Sequence, residues 1–449
     1  MKSLVVVVVV ALCNAATVTA QQVQAQLTLA DALDVARERN PTYLQAVNTA
    51  RSQGAQVRAG WGAFLPTLSA NLSFNGSDWR RFSGTGDFGG AARADTAFNI
   101  RSSSASQSVS ARFTLFDGFR NLNSARATGA SAGAANSARV AARNRVDAET
   151  TTRFNGALQT NQLIALEEQL LGLARLQFAN TQRLFRVAGA TQEDVLGAEA
   201  DVANQELALE RARGEAEKAW LSLREHLGLS EMIAFEVVGE LPAVWNPETL
   251  REESLIDRAM VLSPRLRQLE AQASAANLQA SAVRGNRWPT VSMNASYGRS
   301  SNQNGYGALF DLGPEDRGLN FGMTLDFPIF TGFQTSARVA QATADARNAD
   351  QAAVSGLLNV ERLVRAAVID VRNAYRGLEL AERSAELSRE RVRLARERYA
   401  IGGIDFANLQ LLIDRSAQAE RSLINARFQY AQAVVNLEEQ VGGPVRRGR

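Results

Sequence analysis

Cys13 and His226 are the only cysteine and the only histidine in this sequence of 449 residues. A zinc cluster or a disulfide framework needs several such side chains, so neither can be built from this pair. A Ser-His-Asp or Cys-His nucleophilic site would have to use His226 as its base, and we expect that histidine at the surface of a helix end. The composition therefore argues against an enzyme, and it gives no reason to expect a metal or a cofactor.

Two further features bear on ligands. The stretch Gly84–Gly89 fits the G-x-G-x-x-G phosphate-binding pattern, but no helix pattern opens after it, so we interpret it as a loop between two strands. The 49 basic and 46 acidic residues give a net charge of +3, which argues against nucleic acid as a partner. Hydrophobic residues make up 45% of the chain, enough to build a folded core.

The N-terminus has the pattern of a signal peptide at residues 1–20. Lys2 supplies the positive charge, Leu4–Leu12 is a short apolar run, and Val18–Ala20 offers a small-residue cleavage site. The run is too short to cross a bilayer as a helix. A lipid anchor at Cys13 is not expected, because a lipobox needs a small residue where Leu12 stands. The protein is therefore predicted to be exported to the periplasm or the outer membrane.

The chain contains an internal duplication. Asn40-Pro41 recurs as Ser263-Pro264 after 223 residues, and Phe116–Phe119 recurs as Phe330–Phe333 after 214 residues. A repeat of this length indicates two copies of one large unit rather than a short-repeat solenoid. The predicted divisions are a first repeat at 27–235, a linker at 236–251 and a second repeat at 252–443.

Each repeat is predicted to contain a long α-hairpin. No proline lies between Gly118 and Glu240 or between Ile329 and Gly443, so both stretches are compatible with long helices. One glycine-containing turn, near residues 187–191 and 401–405, divides each stretch in two. The α-hairpins are therefore placed at 119–227 and 333–441.

The predicted helix lengths match one another. Phe119–Val187 would span ~104 Å at 1.5 Å per residue, whereas Thr191–Leu227 would span ~56 Å. A helix before the strands, at about Leu29–Gly60, would add ~48 Å. We expect the two shorter helices to stack end to end beside the long one, in a rod about 100 Å tall. The second repeat follows the same plan with Phe333–Ile401, Asp405–Val441 and about Glu252–Gly285.

Apolar stripes indicate how these helices pack. Residues that recur at steps of three and four are typical of a coiled-coil seam. The two predicted stripes are Val364, Val368, Val371, Tyr375 and Leu378 in the second repeat, and Leu163, Leu166, Leu170 and Leu173 in the first.

Between the helices the apolar period changes to two. Apolar residues occupy alternate positions within 68–74, 109–115, 291–297 and 321–327, and small polar residues stand between them. We predict β-hairpins at about 66–116 and 289–328. A soluble sandwich could show the same alternation, but after a signal peptide a lipid-facing and a water-facing side explain it better.

The number of strands predicts an oligomer. Two hairpins give four strands per chain, whereas membrane barrels begin at about eight strands, and an open sheet edge cannot face hydrocarbon. Several chains must therefore share one barrel: two copies would give eight strands, and three would give twelve and a wider lumen.

The whole mature chain resembles the TolC family of outer-membrane efflux channels. The residues that carry the resemblance are Leu27–Leu33 with Asn40-Pro41, Phe64–Pro66, Phe116–Phe119, Asp194–Leu196, Arg398-Tyr399 with Gly402, and the closing Gly228 and Gly442. The resemblance implies an α+β membrane protein, a homotrimer with a 12-stranded β-barrel over a 12-helix periplasmic α-barrel. It also implies a passive exit duct for small molecules or secreted proteins. Its partners would be outer-membrane lipid, a periplasmic adaptor and an inner-membrane transporter of the RND or ABC type.

The family places gate residues at the helix-turn-helix tips, and here the transfer is imperfect. Asn408 and Leu411 occupy the positions where relatives carry gate aspartates, and Ile404 stands where some relatives have the arginine partner of a tethering tyrosine. The nearby gate candidates are Asp405, Asp414, Glu193, Asp194 and Tyr399. Three symmetry copies of one carboxylate would form a ring that favours cations. The alternative is that these acids are solvated residues at helix starts.

Small residues at the same tips are candidates for contact with the adaptor. Ala188, Gly189, Gly402 and Gly403 would allow an adaptor's helical hairpin to approach closely. Their other explanation is turn geometry alone. The alternative to an exit duct is a trimeric structural or adhesive stalk anchored in the outer membrane.

Overall fold

The computed structural model describes residues 25–83, 96–187, 189–229, 235–304 and 317–445. The predicted signal peptide, Cys13, Ala188 and the Gly84–Gly89 loop lie outside these residues. The chain divides into two compact units: a turn unit (1–36, 150–243 and 388–428) and a sheet unit (37–149, 244–387 and 429–449).

The two repeats give matching series of elements. In the first, the helices are α1 (Leu29–Arg39), α2 (Pro41–Gly62), α3 (Arg120–Arg186) and α4 (Gln192–His226), and the strands are β1 (Ala25–Leu27), β2 (Thr67–Ser83), β3 (Thr96–Phe116) and β4 (Phe235–Val237). In the second, the helices are α5 (Glu252–Leu262), α6 (Pro264–Arg284), α7 (Gln334–Ala400) and α8 (Phe406–Val441), and the strands are β5 (Thr290–Asn304) and β6 (Arg317–Asp326).

The long helices have the predicted lengths. Helices α3 and α7 each contain 67 residues, and α4 and α8 contain 35 and 36. Phe119 and Phe333 directly precede α3 and α7 and have a left-handed backbone, with φ of 62° and 65°. The glycine before each of them is in the same left-handed region. Gly118 has no alternative there, because a Cβ would lie 2.6 Å from the carbonyl oxygen of Gly285. The same Phe-x-Gly-Phe corner thus begins the long helix of both repeats.

Each helix that was predicted as one element before the strands consists of two consecutive helices in the structure. The first breaks between α1 and α2 at Asn40, and the second breaks between α5 and α6 at Ser263. A proline disfavours the helical conformation of the residue before it, and it is well suited to the first position of the next helix. Both residues cap the helix that follows: Asn40 accepts a hydrogen bond from the backbone nitrogen of Tyr43 at 3.1 Å, and Ser263 from that of Leu266 at 3.2 Å.

The sheet unit contains one four-stranded antiparallel sheet in the order β2-β3-β5-β6. The central pairing, β3 with β5, joins the hairpins of the two repeats, so the duplicated halves form one sheet. The strands have 17, 21, 15 and 10 residues, which is mostly longer than the apolar alternation alone suggests.

The helical core of the sheet unit follows the predicted stripe of α7. Val364, Val368, Val371 and Leu378 are buried. Tyr430 of α8 is also buried, and its hydroxyl donates to the carbonyl oxygen of Trp245 at 2.9 Å and accepts from the backbone nitrogen of the same residue at 3.2 Å. These two hydrogen bonds hold the segment after β4 against α8.

The stripe predicted in the first repeat is only partly buried, because Leu163, Leu166 and Leu170 are half-buried. Leu173 is 40% exposed, and the buried positions of α3 in the turn unit include Phe154, Leu158 and Leu171. Strands β1 and β4 form a short parallel pair in this unit, in which Leu27 lies opposite Val237. Three-residue strands carry too little periodicity to be read from sequence.

Candidate functional site

The turns that end α3 and α7 lie in the turn unit, and glycine shapes both. Gly402 follows α7 with φ of 70°, and its backbone nitrogen donates to the carbonyl oxygen of Tyr399 at 3.1 Å. The nitrogen of Gly403 donates to the carbonyl oxygen of Arg398 at 2.7 Å. This is a Schellman cap, which needs a left-handed residue at the position of Gly402. After α3, Gly189 donates to the carbonyl oxygen of Leu184 at 2.8 Å.

Two of the predicted gate acids cap the returning helices. Asp194 completes a capping box at the start of α4: its carboxylate accepts hydrogen bonds from the backbone nitrogen and the hydroxyl of Thr191, both at 2.8 Å. Asp405 precedes α8, and its Oδ1 accepts a hydrogen bond from the backbone nitrogen of Asn408 at 2.8 Å. Both acids therefore have a structural task at a positive helix end, whether or not they also face a pore.

Tyr399 lies half-buried between the two turns. Its ring packs against Phe406 at 6.3 Å between centroids, and its hydroxyl is hydrogen-bonded to Thr181 of α3. Burial, with a smaller contribution from the negative charge of Asp194, raises the pKa of Tyr399. The tyrosine therefore remains neutral and joins α7 to α3 within its own chain.

A cavity of about 990 Å³ lies between the two turns. Its lining brings together most of the predicted residues, namely Glu193, Asp194, Asp405, Tyr399, Gly189 and Gly402. Arg183 and Arg396, which no sequence pattern distinguishes from other surface arginines, line it as well. The three carboxylates thus share the cavity with two guanidinium groups, and the site is less negative than an acidic ring alone would be.

Asp414 and Gly403 do not line this cavity. Asp414 is exposed on α8, where Gln410 Nε2 donates to its Oδ1 at 3.2 Å. Its charge acts on Asp201 of α4: burial, together with a smaller repulsion from Asp414, raises the pKa of Asp201. Asp201 lines a separate cavity of about 150 Å³ with Gln177, Gln205, Arg396 and Gln410. The predicted acids therefore fall at two levels of the turn unit.

His226 is buried rather than at the surface. Its Nε2 lies 3.0 Å from Thr150 Oγ1 in the turn unit. Across the described ranges, no three or more His, Cys, Asp or Glu side chains lie close enough together to hold a metal ion. Within those same ranges, none of the helices combines the length and the apolar character needed to cross a membrane.

The sheet unit presents an apolar face to its surroundings. The strand register aligns Leu68 with Ala111, Ala111 with Ala295, and Ala295 with Phe321 across all four strands. Large side chains of this face are exposed, among them Leu68 at 74% and Phe321 at 86%. Other exposed members are Leu72, Val109, Met293, Tyr297, Leu319, Met323 and Leu325. A contiguous apolar surface of this kind needs a lipid or a protein partner.

The opposite face of the same sheet is lined with serine and asparagine. Three pairs of serine hydroxyl groups bridge β2 and β3 at 2.6–2.7 Å: Ser69 with Ser110, Ser73 with Ser106, and Ser77 with Ser102. An apolar and a small polar face on one antiparallel sheet are what a barrel wall between lipid and water requires.

The described elements comprise one antiparallel sheet with an apolar face and a duplicated long helical hairpin. The model of the outer membrane efflux protein family matches residues 32–229 and 255–443, so the chain belongs to the outer membrane efflux protein family. Protein CyaE of Bordetella pertussis is 24% identical over 363 residues, which cover 79% of this chain and 70% of that relative.

Solved structures share the fold. A membrane protein from Pseudomonas aeruginosa has a TM-score of 0.75 at 23% identity, covering 95% of this chain and 92% of its own. The CmeC outer membrane channel of Campylobacter jejuni has a TM-score of 0.76 at 16% identity, covering 92% and 85%. The open state of the MtrE outer membrane channel of Neisseria gonorrhoeae has a TM-score of 0.70 at 21% identity, covering 93% and 89%.

Family membership identifies the function class. The protein is an outer-membrane efflux channel, which confirms the resemblance, the α+β fold with its duplicated hairpins, and the location inferred from the sequence. Channels of this family are passive trimers that work with adaptors and inner-membrane pumps. The adhesive stalk gains no support from any relative.

Proposed function

We propose that three copies of this chain form the exit duct of a tripartite export system. Each copy contributes four strands to a 12-stranded barrel and four long helical segments to a 12-helix periplasmic barrel. A periplasmic adaptor and an inner-membrane transporter of the RND or ABC type deliver the cargo, which is a small molecule or a secreted protein.

The edges of the sheet carry this proposal. In the order β2-β3-β5-β6, strands β2 and β6 each have a neighbour on one side only among the residues that the structure describes. Amides and carbonyls at those edges would lack partners in hydrocarbon, so the sheet needs further strands on both sides. Pairing β6 of one copy with β2 of the next satisfies both edges and closes a barrel after three copies.

The cavity between the turns is the proposed gate region. Glu193, Asp194 and Asp405 line it, and three copies of these carboxylates would surround the periplasmic entrance. Tyr399 would hold α7 against α3 in the closed state. Asp414 would form a separate level of charge beside Asp201.

The small residues at the turns are the proposed adaptor contact. Ala188, Gly189, Gly402 and Gly403 present little side-chain volume, and the last three are exposed. An adaptor helix could therefore approach the backbone of both turns.

We also propose that the chain is divided into a signal peptide at 1–20, repeats at 27–235 and 252–443, and a linker at 236–251.

The oligomeric mass tests the proposal. The mature chain should be extracted in mild detergent and its protein mass measured by light scattering with the detergent contribution subtracted. We expect the mass of three chains. A single chain, or two, would contradict the shared barrel.

A further inference from the structure

The cavity of about 150 Å³ in the turn unit contains two opposite charges that are not paired with each other. Asp201 lies on α4 and Arg396 lies on α7, and both side chains line the cavity. No ion pair joins them, and within the described part of the chain neither has another ion-pair partner. The two charges therefore leave room between them for a ligand that carries one charge of each sign.

Two glutamine side chains add unsatisfied polar atoms to the same cavity. Among the residues that the structure describes, buried Nε2 of Gln177 has no acceptor and buried Oε1 of Gln205 has no donor. Gln205 follows Asp201 by four residues, so both project from one face of α4. The α4 side of the cavity thus offers acceptors, whereas Gln177 of α3 and Arg396 of α7 offer donors. Buried polar atoms without partners are costly, and a ligand that pairs with them removes that cost.

A neighbouring ion pair fixes the two glutamines at the same level of the first α-hairpin. Arg175 Nη2 of α3 lies 2.7 Å from Glu206 Oε1 of α4. Gln177 comes two positions after Arg175, and Gln205 comes one position before Glu206. In an antiparallel hairpin these offsets place the glutamines across from each other, so the polar atoms are held in place before any ligand binds.

The composition of the lining argues against a simple ion. Asp201 is the one carboxylate of the lining, and the guanidinium of Arg396 would repel a metal cation. The charge of Asp201 would in turn repel a free anion. Leucine and isoleucine side chains, among them Leu170 and Ile413, supply an apolar part. The ligand that fits is a small molecule with both charges and an apolar group.

We propose that this cavity binds a small apolar α-amino acid. The ammonium group donates to Asp201 and to Oε1 of Gln205, and the carboxylate accepts from Arg396 and from Nε2 of Gln177. The side chain lies against the apolar part of the lining. A cavity of about 150 Å³ admits a ligand the size of benzene, so valine is of the right scale and tryptophan is too large. All the lining residues belong to one chain, so the site does not depend on the proposed trimer.

The surroundings of the two charges agree with this ligand. Burial raises the pKa of Asp201, because a desolvated carboxylate is less stable when it is charged. An ammonium group beside Asp201 would favour the charged form again. Arg396 also lines the larger cavity between the turns, which gives the ligand a route of entry.

Matched compounds test the requirement for both charges. Equilibrium dialysis of radiolabelled valine against the detergent-purified mature protein gives the affinity, and unlabelled compounds then compete. Isobutylamine is valine without its carboxylate, and isovalerate is valine without its ammonium group. We expect saturable binding of valine, and binding of each analogue at least tenfold weaker, which corresponds to about 1.4 kcal/mol. Tryptophan should not compete.

Two outcomes of the dialysis would overturn the proposal. If valine shows no saturable binding up to millimolar concentration, the cavity holds water only. If isobutylamine or isovalerate competes as well as valine, the site is one for a simple cation or a simple anion.

Variants of the lining locate the site. Asp201→Asn and Arg396→Gln should each weaken valine binding about tenfold, and Ala174→Leu should abolish it by filling the cavity. Arg391→Gln, at an exposed arginine of α7 outside this lining, should change nothing. Equal valine affinity in the wild type and all three lining variants would contradict the assignment. If a lining variant fails to fold, the comparison of compounds on the wild type still decides.

Discussion

Arg421 of α8 and Glu167 of α3 form a two-point ion pair in the turn unit, with Nε to Oε1 at 2.6 Å and Nη2 to Oε2 at 2.8 Å. The side chain of Glu167 is 6% exposed and that of Arg421 is 28% exposed. The hydrogen bond to Glu167 raises the pKa of Arg421, so the guanidinium stays charged. The pair therefore joins two long helices through a nearly buried carboxylate.

Removing the arginine should cost more than removing the acid. Arg421→Ala leaves Glu167 buried without its counter-charge, which should destabilise the fold by about 3 kcal/mol, whereas Glu167→Ala leaves an arginine that can turn toward water and should cost about 1 kcal/mol. The check is the midpoint of heat denaturation, followed by helical circular dichroism. Arg393→Ala, at an exposed helical ion pair, should leave the midpoint unchanged. Equal losses in the first two variants would contradict this account of the pair.

Substitution of Gly402 should destabilise the protein, whereas substitution of a glycine in the interior of a helix should not. Gly402→Ala forces a residue with a Cβ into φ of 70° and should cost about 1 kcal/mol, with Gly402→Asn milder. Gly172→Ala, in an open position inside α3, should gain about 0.5–1 kcal/mol from helix propensity. Both are measured as shifts of the same denaturation midpoint. A Gly402→Ala protein as stable as Gly172→Ala would show that the cap contributes nothing.

Strong periodicity and duplication made the large elements predictable from sequence. The 67-residue helices, the hairpins and the polar and apolar faces of the strands all follow from patterns that extend over many residues. Pro41 marks the break between α1 and α2 in the sequence as well, whereas the matching of helix lengths predicts one helix across it. The parallel pair of β1 and β4 was not predictable, because three residues hold no readable period.

The residues that line the cavities of the turn unit are set by how the helices pack against one another. Arg183 and Arg396 look like ordinary surface arginines in sequence, and only the packing of the helices places both beside Glu193 and Asp405. A histidine at a helix end is expected at the surface, yet His226 is buried against Thr150, which lies 76 positions earlier in the chain. Contacts at such separations leave no local signal.

The charge of Asp405 should influence ion selectivity. Because Asp405 also caps α8, the informative variant is Asp405→Asn, which keeps the cap and removes the charge. Combined with Glu193→Gln, it should lower the ratio of cation to anion permeability roughly twofold in the trimer, read from the reversal potential in a salt gradient. Asp414→Asn, which lies off the cavity, tests the proposed second level of charge separately. An unchanged reversal potential in the double variant would mean that neither carboxylate faces the pore.

Bulk at the turns should block adaptor docking. Gly189 tolerates a side chain locally, since an added Cβ meets its nearest neighbour at an ordinary 3.5 Å and φ is not left-handed. Gly189→Trp should therefore assemble normally and lose co-purification with the adaptor about tenfold, a loss of about 1.4 kcal/mol. Gly402→Trp is a poorer test, because it also strains the cap.

Gly172→Trp serves as the control for docking. It adds the same bulk to α3, about 21 Å along the helix from the end of α3 at Arg186. Trimer abundance and export are measured for both variants. If Gly172→Trp impairs export as much as Gly189→Trp, the turns have no special part in docking.

The central claim is that the serine face of the sheet lines a water-filled pore and that its apolar face contacts lipid. Ser108 and Val109 are neighbours in β3 that point to opposite faces, so Ser108→Cys and Val109→Cys form a matched pair. Single-channel current should be recorded in a planar bilayer before and after a charged, water-soluble thiol reagent. We expect stepwise conductance from both variants and a reagent-induced drop only in Ser108→Cys. No current from an assembled trimer, or a drop confined to Val109→Cys, would contradict the account.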